Sequence, residues 1–407
     1  MAEGPAAEII RELSGKGAEA RFIGGCVRDA IVGRSVSDID LATDAVPERV
    51  VEILGRAGIR TKPTGIEYGT VTAIAGDSSY QITTLRRDVD TNGRHAVVSF
   101  TTDWAEDAGR RDFTINALSA DADGSVYDYV DGLADLAAGR VRFIGAAAER
   151  VAEDYLRILR FFRFHAGYAS GAPDEEALAA CRAAAARIDD LSGERIWLEL
   201  SRILLIDPPG TVFQMMEKAG VLGRLIPIAR KIDRLTALAA LEGMIGLDAD
   251  PIRRLAALIE PTRREASQVA ARLRLGRIDT DRLDSLTANR GQCSPDMSEA
   301  VLRRSLYRVR TRYFRDLLLL DWSEAIVRDR AAAMRTADGW KKILDYAQAW
   351  EQPELPVSGE DVMGFGVPEG PAVGEMLEAI EEWWLERAFK PDREACLDRL
   401  RLLARRR

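Results

Sequence analysis

The sequence predicts an α+β chain, with a head of short strands and helices up to about residue 145 and an all-α remainder running almost to the end. Three observations carry that expectation. The runs Thr70-Ile74, Tyr80-Leu85, Ala96-Thr101 and Val126-Val130 are short and bounded by turn formers, so each predicts a strand, and helical stretches are expected among them at about 46–58 and 105–120. Beyond residue 145 the chain is rich in Ala, Leu and Arg, with apolar residues recurring at the helical period. Breaks at Asp207-Pro208-Pro209-Gly210 and Gln352-Pro353-Glu354-Leu355-Pro356 then punctuate the helical part, which gives expected divisions of 1–145, 146–206, 207–350 and 351–407.

Composition sets the outer bounds. A chain of 407 residues exceeds one ordinary domain, and a hydrophobic content of 47% supports several cores. The cysteines Cys26, Cys181, Cys293 and Cys396 are scattered without a C-x-x-C spacing, which suggests neither a disulfide framework nor a zinc site and points to a reducing compartment. No apolar run reaches the roughly 18 residues of a membrane span, and the N-terminal stretch carries acids where a signal peptide is basic and apolar. A cytoplasmic location and no membrane partner are therefore expected. The net charge of −8 argues against a uniformly basic nucleic-acid coat but leaves room for local basic patches.

In the head, Arg21-Phe22-Ile23 ends a strand at Gly24-Gly25, where glycine lets backbone N–H groups approach a phosphate without a Cβ in the way. Val27 to Val32 reads as a short helix opening at that turn, and Gly25 with Arg28 is expected to steady triphosphate oxygens there. Asp38 and Asp40 stand at i and i+2 of an expected strand and so share a face. Such a pair suits Mg²⁺, which takes oxygen ligands and commonly binds through one or two carboxylates plus substrate phosphates. Either motif alone is ordinary punctuation; in this order they predict nucleotidyl transfer from a metal-bound triphosphate.

Further along, Arg86 to Ala96 reads by composition as a polar hairpin connection. Arg110-Arg111-Asp112-Phe113-Thr114-Ile115-Asn116-Ala117 is either a helix start or, with charged donors beside an acceptor, a grip for the cis hydroxyls of a ribose. In the run from Glu153 to Arg163, Asp154 and Arg157 sit about 60° apart on one expected helix, while Arg163 has drifted about half-way round. The plain reading is an intrahelical Asp154–Arg157 ion pair, worth little by itself. Ser192 is placed to cap a helix in which Arg195 and Glu199 form an i, i+4 pair. Between Val301 and Arg315 lie Arg303, Arg304, Arg308, Arg310, Arg312 and Arg315, no acid, and Tyr307, Tyr313 and Phe314. That segment is either an amphipathic helix with solvated arginines or an RNA-binding patch.

Together, GG-x-V-R-D from Gly24 to Asp29, D-x-D from Asp38 to Asp40, R-R-D-F-T-I-N-A from Arg110 to Ala117 and E-D-x-x-R from Glu153 to Arg157 resemble a known signature. It is that of the DNA polymerase β-like nucleotidyltransferases, especially the tRNA nucleotidyltransferase and bacterial poly(A) polymerase family. The resemblance covers most of the chain and is densest from 21 to 205, with the hinge-like Tyr127 to Leu136 and the tail-like stretches Leu355 to Met363 and Gly370 to Gly374 extending it. It implies a polymerase β-like head with a small mixed sheet, followed by a helical neck, body and tail. Asp38 and Asp40 are implied to be catalytic and to bind Mg²⁺, and Arg111 and Asp112 to contact ribose with Asn116 in support.

The resemblance also implies that Asp154 and Arg157 read the incoming base, with Arg160 and Arg163 near the triphosphate or base. On the Watson–Crick edge both cytosine and adenine offer an amino donor beside a ring-nitrogen acceptor, so an Asp acceptor next to an Arg donor selects C and A together. The loop 86–96 is implied to help the pocket change from C to A. The implied activity is template-independent addition of C, C and A to tRNA from CTP and ATP, with tRNA held by the helical body and by Arg303, Arg304, Arg308, Arg310 and Arg312. Poly(A) polymerase, or addition of the terminal A alone, is the alternative. One departure stands out: Gln81 occupies a position where relatives commonly carry an acid, with Glu67 as a possible substitute. His95 and His165 are the chain's two histidines, so an appended phosphohydrolase activity is not expected.

Overall fold

The structure, a computed structural model, describes residues 4–36, 38–91, 96–226, 230–309 and 311–405. The chain divides into two compact units, 1–227 with 272–274, and 228–271 with 275–407.

The first unit opens with α1 (Pro5–Ser14), β1 (Ala20–Ile23), α2 (Gly25–Ile31), β2 (Asp40–Thr43), α3 (Pro47–Arg56), β3 (Arg60–Gly65), β4 (Thr70–Ala75) and β5 (Ser78–Thr84). It continues through β6 (Arg86–Thr91), β7 (Ala96–Phe100), α4 (Trp104–Gly109), β8 (Ser119–Ala120) and β9 (Val126–Tyr127). Seven strands form a mixed sheet in the order β3-β4-β5-β2-β1-β8-β9, in which β2 and β5 run parallel and the other pairs antiparallel. β6 and β7 form a separate hairpin. Helices α1 and α3 bury Ile9, Ile10 and Leu13, and Val50, Ile53 and Leu54, from one stripe each, as the 3.6-residue spacing of those positions requires. At the parallel pair Asp40 stands in register with Gln81.

Two sequence expectations are corrected here. The helix expected over 105–120 ends at Gly109, after an N-terminus at which the Asp103 carboxylate accepts the amides of Ala105 and Glu106. Beyond it the Asp112 carboxylate accepts the amide of Phe113 and the side-chain amide of Asn116, and this local acceptor draws the backbone out of the helix into a 3₁₀ turn over Thr114–Asn116. The strand expected over Val126-Val130 stops at Tyr127, because Asp128 accepts the amides of Val130, Gly132 and Leu133 and turns the chain into α5 (Gly132–Ala137). Gly132 is required there: a Cβ would lie 2.3 Å from the Thr114 carbonyl oxygen.

The remaining helices of this unit are α6 (Ala147–Glu153), α7 (Leu156–Tyr168), α8 (Glu175–Ala183), α9 (Gly193–Leu204), α10 (Gly210–Lys218) and α11 (Leu222–Leu225). The segment read as one helix through Asp154 is therefore broken. Asp154 is extended (φ −154°), and its carboxylate accepts the Leu156 amide at the start of the second helix. Four phenylalanines tie α7 to the strand-and-turn region: Phe113 lies 4.6 Å from Phe143 and 5.3 Å from Phe164, and Phe143 lies 6.1 Å from Phe161. Truncating one such buried ring typically costs about 3–5 kcal/mol, so this cluster fixes Asp112, beside Phe113, relative to Arg160, beside Phe161.

The regular elements of the second unit's described residues are helices: α12 (Ile232–Met244), α13 (Pro251–Leu258), α14 (Arg263–Leu273, its last two residues in the first unit), α15 (Arg277–Ala288), α16 (Glu299–Val309), α17 (Thr311–Arg328), α18 (Arg330–Arg335), α19 (Ala337–Gln348), α20 (Gly359–Gly364), α21 (Pro371–Glu386) and α22 (Arg393–Ala404). Its interior holds buried arginines paired with acids, as burial of charge demands: Arg253 with Glu242 and Asp316, and Arg282 with Asp316 and Asp250. Its C-terminal helices have their own core of Val362, Met376, Ile380, Trp384, Cys396 and Leu400. No helix among the described residues is long and apolar enough to cross a membrane.

Candidate active site

A cavity of about 620 Å³ in the first unit collects most of the residues singled out by the sequence. Its floor is the end of β1 and the turn Gly24-Gly25, with Asp40 from β2 and Gln81 from β5; one wall is Arg110, Arg111 and Asp112; the other is Asp154 with Arg157, Arg160 and Arg163 from α7. Gly24 takes φ +74°, a backbone conformation that favours glycine, and its turn lies beside Nη1 of Arg111. Arg28 is buried, donates to Asn116 and Asp29, and stacks 4.0 Å over Tyr168.

Asp38 lies just before β2 rather than within it, which corrects the expectation of two carboxylates on one strand. It borders an adjoining polar cavity of about 670 Å³ together with Ser78, Ser79 and Asp40, so Asp40 faces both spaces. Burial and then the nearby Asp38 charge push the Asp40 carboxyl up, against the pull of Arg111. Glu67 lies in a 3₁₀ turn, Ile66–Tyr68, and borders neither cavity; Gln81 stands beside Asp40 with an amide where a third carboxylate was sought. The donor set offered to a cation is thus two carboxylates and an amide, all hard oxygen chemistry.

Along both walls the predicted residues are held by charged partners within the protein. Asp112 is buried; one carboxylate oxygen accepts from Phe113 and Asn116 and the other from Arg160 at 2.6 Å. Burial would raise its pKa, but Arg160 and Asn116 outweigh burial and hold the carboxyl below the usual range. Asp154 is paired with Arg195 of α9 at 2.8 Å, and Arg157 with Glu153 and the Arg150 carbonyl. The expected Arg195–Glu199 pair is therefore replaced. Glu199 instead accepts from Arg163 at 2.6 Å and lies 3.6 Å from Arg160, so both α9 residues point to the cavity wall. Ser192 occupies the N-cap position of α9 without a side-chain cap bond. Because Asp154 stands off the axis of α7, it and Arg163 border the same cavity, which the single-helix geometry had excluded.

Asp107 also escaped the sequence reading. Its buried carboxylate accepts from both Arg110 and Arg111, a relation that the i, i+3 and i, i+4 spacing contains. For Glu199 the local spacing holds only the 3.9 Å approach of Arg202, while its shorter contacts, with Arg163 and Arg160, come from 36 and 39 residues away.

In the second unit Arg303 pairs with Glu299, while Arg304 and Arg308 pair with Glu382 of α21; Tyr307 donates to Glu381 and packs on Trp384 and Phe389. The run is helical on both sides of Arg310, as α16 up to Val309 and α17 from Thr311. Arg312 lies in the first turn of α17, and Arg310 lies outside the described residues, as do Asn92, Gly93, Arg94 and His95 of the loop.

Mixed sheet, helical neck and a cavity joining Asp40, with Asp38 two residues before it, to a wall of arginines define a polymerase-like nucleotidyltransferase. Residues 20–142 match the family described as Poly A polymerase head domain, and residues 172–232 that described as Probable RNA and SrmB- binding site of polymerase A. The chain is 33% identical to the mitochondrial CCA tRNA nucleotidyltransferase 1 of Mus musculus, over 93% of this chain and 86% of the mouse protein. It is 30% identical to a CCA-adding enzyme of Streptococcus suis, over 96% and 94% of the two chains. The chain belongs to the CCA tRNA nucleotidyltransferase family. The fold agrees: the Bacillus stearothermophilus CCA-adding enzyme in complex with CTP matches with a TM-score of 0.76 at 23% identity, covering 98% of this chain and 97% of that one.

Proposed function

We propose that this chain adds C, C and A to the 3′ end of tRNA, template-independently, from CTP and ATP with release of pyrophosphate. The observation that carries the reading is that Asp40, the Arg111-Asp112 pair and the Asp154 and Arg157 pair border one cavity, in a chain 33% identical to a CCA tRNA nucleotidyltransferase over most of its length. The family uses a divalent metal, and Mg²⁺ held by Asp38 and Asp40 fits the oxygen donors present. When bound, the ion lowers the pKa of the primer 3′-hydroxyl and neutralises charge on the phosphate under attack.

The chain's own residues do the rest. Gly25 and Arg28 steady the triphosphate, and Arg160 and Arg163 oppose its charge. Arg111 and Asp112 contact the ribose. Asp154 accepts the amino group of C or A while Arg157 donates to the neighbouring ring nitrogen, so U and G, with donor and acceptor reversed, meet like groups. Arg195 keeps Asp154 aimed, and Glu153 does the same for Arg157.

In this reading the head (1–145) carries chemistry, the neck (146–206) reads the base, and the body (207–350) and tail (351–407) hold tRNA by shape and backbone contacts, Arg303, Arg304, Arg308, Arg310 and Arg312 among them. A cytoplasmic location belongs to the same reading, supported by four buried cysteines that are free. The test is to supply tRNA transcripts ending before CC, before C and before A with each nucleotide separately and with all four mixed. Incorporation should stop after CCA; long A tails on unrelated RNA overturn the reading in favour of a poly(A) polymerase.

A further inference from the structure

Asp112 cannot be the only group that tells ribose from deoxyribose. Both of its oxygens are already engaged, one by the Phe113 amide and Asn116 and the other by Arg160, and the residue is 9% exposed. Arg111, with a side chain 21% exposed, is the more available donor on that wall of the cavity. Its guanidinium is not free to wander. Nε and Nη2 both point to one oxygen of Asp107, at 3.3 and 3.0 Å, and the other oxygen of Asp107 takes Nε and Nη2 of Arg110 at 2.9 and 2.7 Å. That leaves Nη1 of Arg111 on the side of the Gly24 turn.

We infer that Asp107, which does not itself border the cavity, is the positioning residue for sugar discrimination: by fixing Nε and Nη2 of Arg111 it presents the remaining Nη1 donor to the ribose hydroxyls. The inference rests on the nucleotidyl-transfer reading of this site. Three features of Asp107 suit it to the task. Its side chain is 2% exposed, so the anchor is not exchanged for water. Two guanidiniums share it through forked contacts, which fix orientation as well as distance. It also accepts the Arg86 amide at 3.2 Å, at the root of the β6–β7 hairpin, so the sugar-facing arginine and that hairpin share one anchor. An Asn at 107 keeps an acceptor for the Arg86 amide but removes the charge on which both guanidiniums turn.

The test measures kcat/KM for CTP and for dCTP on a tRNA transcript lacking CCA, for wild type, Asp107→Asn, Arg111→Gln and the double variant. The CTP:dCTP ratio is independent of the fraction of active enzyme, so a merely structural role does not move it. Asp107→Asn is expected to lower that ratio at least tenfold, and to lower it no further when Arg111 is already Gln. Asp107→Glu, which keeps the charge but displaces it by one methylene, is the second variant if the Asn protein does not fold, and should lower the ratio less. A variant that loses activity with CTP and dCTP in equal proportion, or whose effect persists undiminished in the Arg111→Gln background, overturns the inference. Failure of the underlying reading looks different: wild type itself then adds no nucleotide or shows no preference for CTP over dCTP.

Discussion

Replacing Glu199 by Gln removes the acid that pairs with Arg163 and leaves Arg160, among the described residues, paired with Asp112. Breaking a buried ion pair from one side costs about 3–5 kcal/mol, because the surviving charge is left uncompensated. Glu199 is 2% exposed, but Arg163 and Arg160 retain 18% and 31% exposure, so water recovers part of that loss and about 2–3 kcal/mol remains. Burial already pulls the Arg163 pKa down, with Arg160 and Arg202 adding to the pull and Glu199 opposing it, so the amide leaves three crowded guanidiniums. In a folding unit of this size each kcal/mol moves the midpoint by about 2–4 °C, which gives a fall of roughly 4–12 °C. A triphosphate brings back negative charge, so saturating CTP should raise the melting temperature more in the variant than in wild type. Melting both proteins with and without CTP is the assay. A variant melting within about 1 °C of wild type would show that Glu199 does not hold this arginine cluster, and the reasoning about the α9 wall would fall with it.

Gly132→Ala should destabilise the first unit by about 1–3 kcal/mol, since the added methyl meets the Thr114 carbonyl carbon and oxygen at 2.9 and 2.3 Å; a denaturant midpoint equal to wild type refutes this. Burial would raise the Asp135 carboxyl, but hydrogen bonds from Thr114, Arg140 and Arg142 hold it below its ordinary value. Its stabilisation is therefore fully present above the unfolded pKa near 4 and is lost as pH falls through the lower folded value, so the gap in melting temperature between wild type and Asp135→Asn should be widest near neutrality and close on acidification. A gap that widens with acid contradicts the assignment. Arg308→Ala should weaken tRNA binding uniformly across sequences and reduce the slope of log K against log salt by about one unit; an unchanged slope removes Arg308 from the proposed RNA-facing set.

The head was legible in the sequence because its determinants are local. The strands at 70–75 and 78–84, the helix starting at Pro47 and the glycine turn before α2 follow from apolar spacing and turn chemistry within a few residues. What the spacing missed was side-chain competition for backbone amides. Asp112 ends the helix expected through 120, Asp128 ends the strand expected through 130, and Asp154 breaks the neck helix, each by accepting an N–H that regular structure would have used. The cavity's membership was legible from motifs, but its wiring was not. Arg195 and Glu199 stand at helical spacing and read as partners, yet each finds a stronger partner on a segment more than 30 residues away. Such pairings depend on how α9 packs against α7, which no local pattern encodes.

Base choice by Asp154 and Arg157 is the centre of the account, and selection among nucleotides by an Asp154→Ala protein tests it most directly. With a tRNA transcript lacking CCA and each nucleotide supplied separately, wild type should take C and then A and refuse U and G. Loss of one charged hydrogen bond to the base, about 1.5–3 kcal/mol, should cut the preference for C over U by roughly ten- to a hundredfold. An Asp154→Ala enzyme that still chooses C and A over U and G as sharply as wild type would contradict the claim that these side chains are the template.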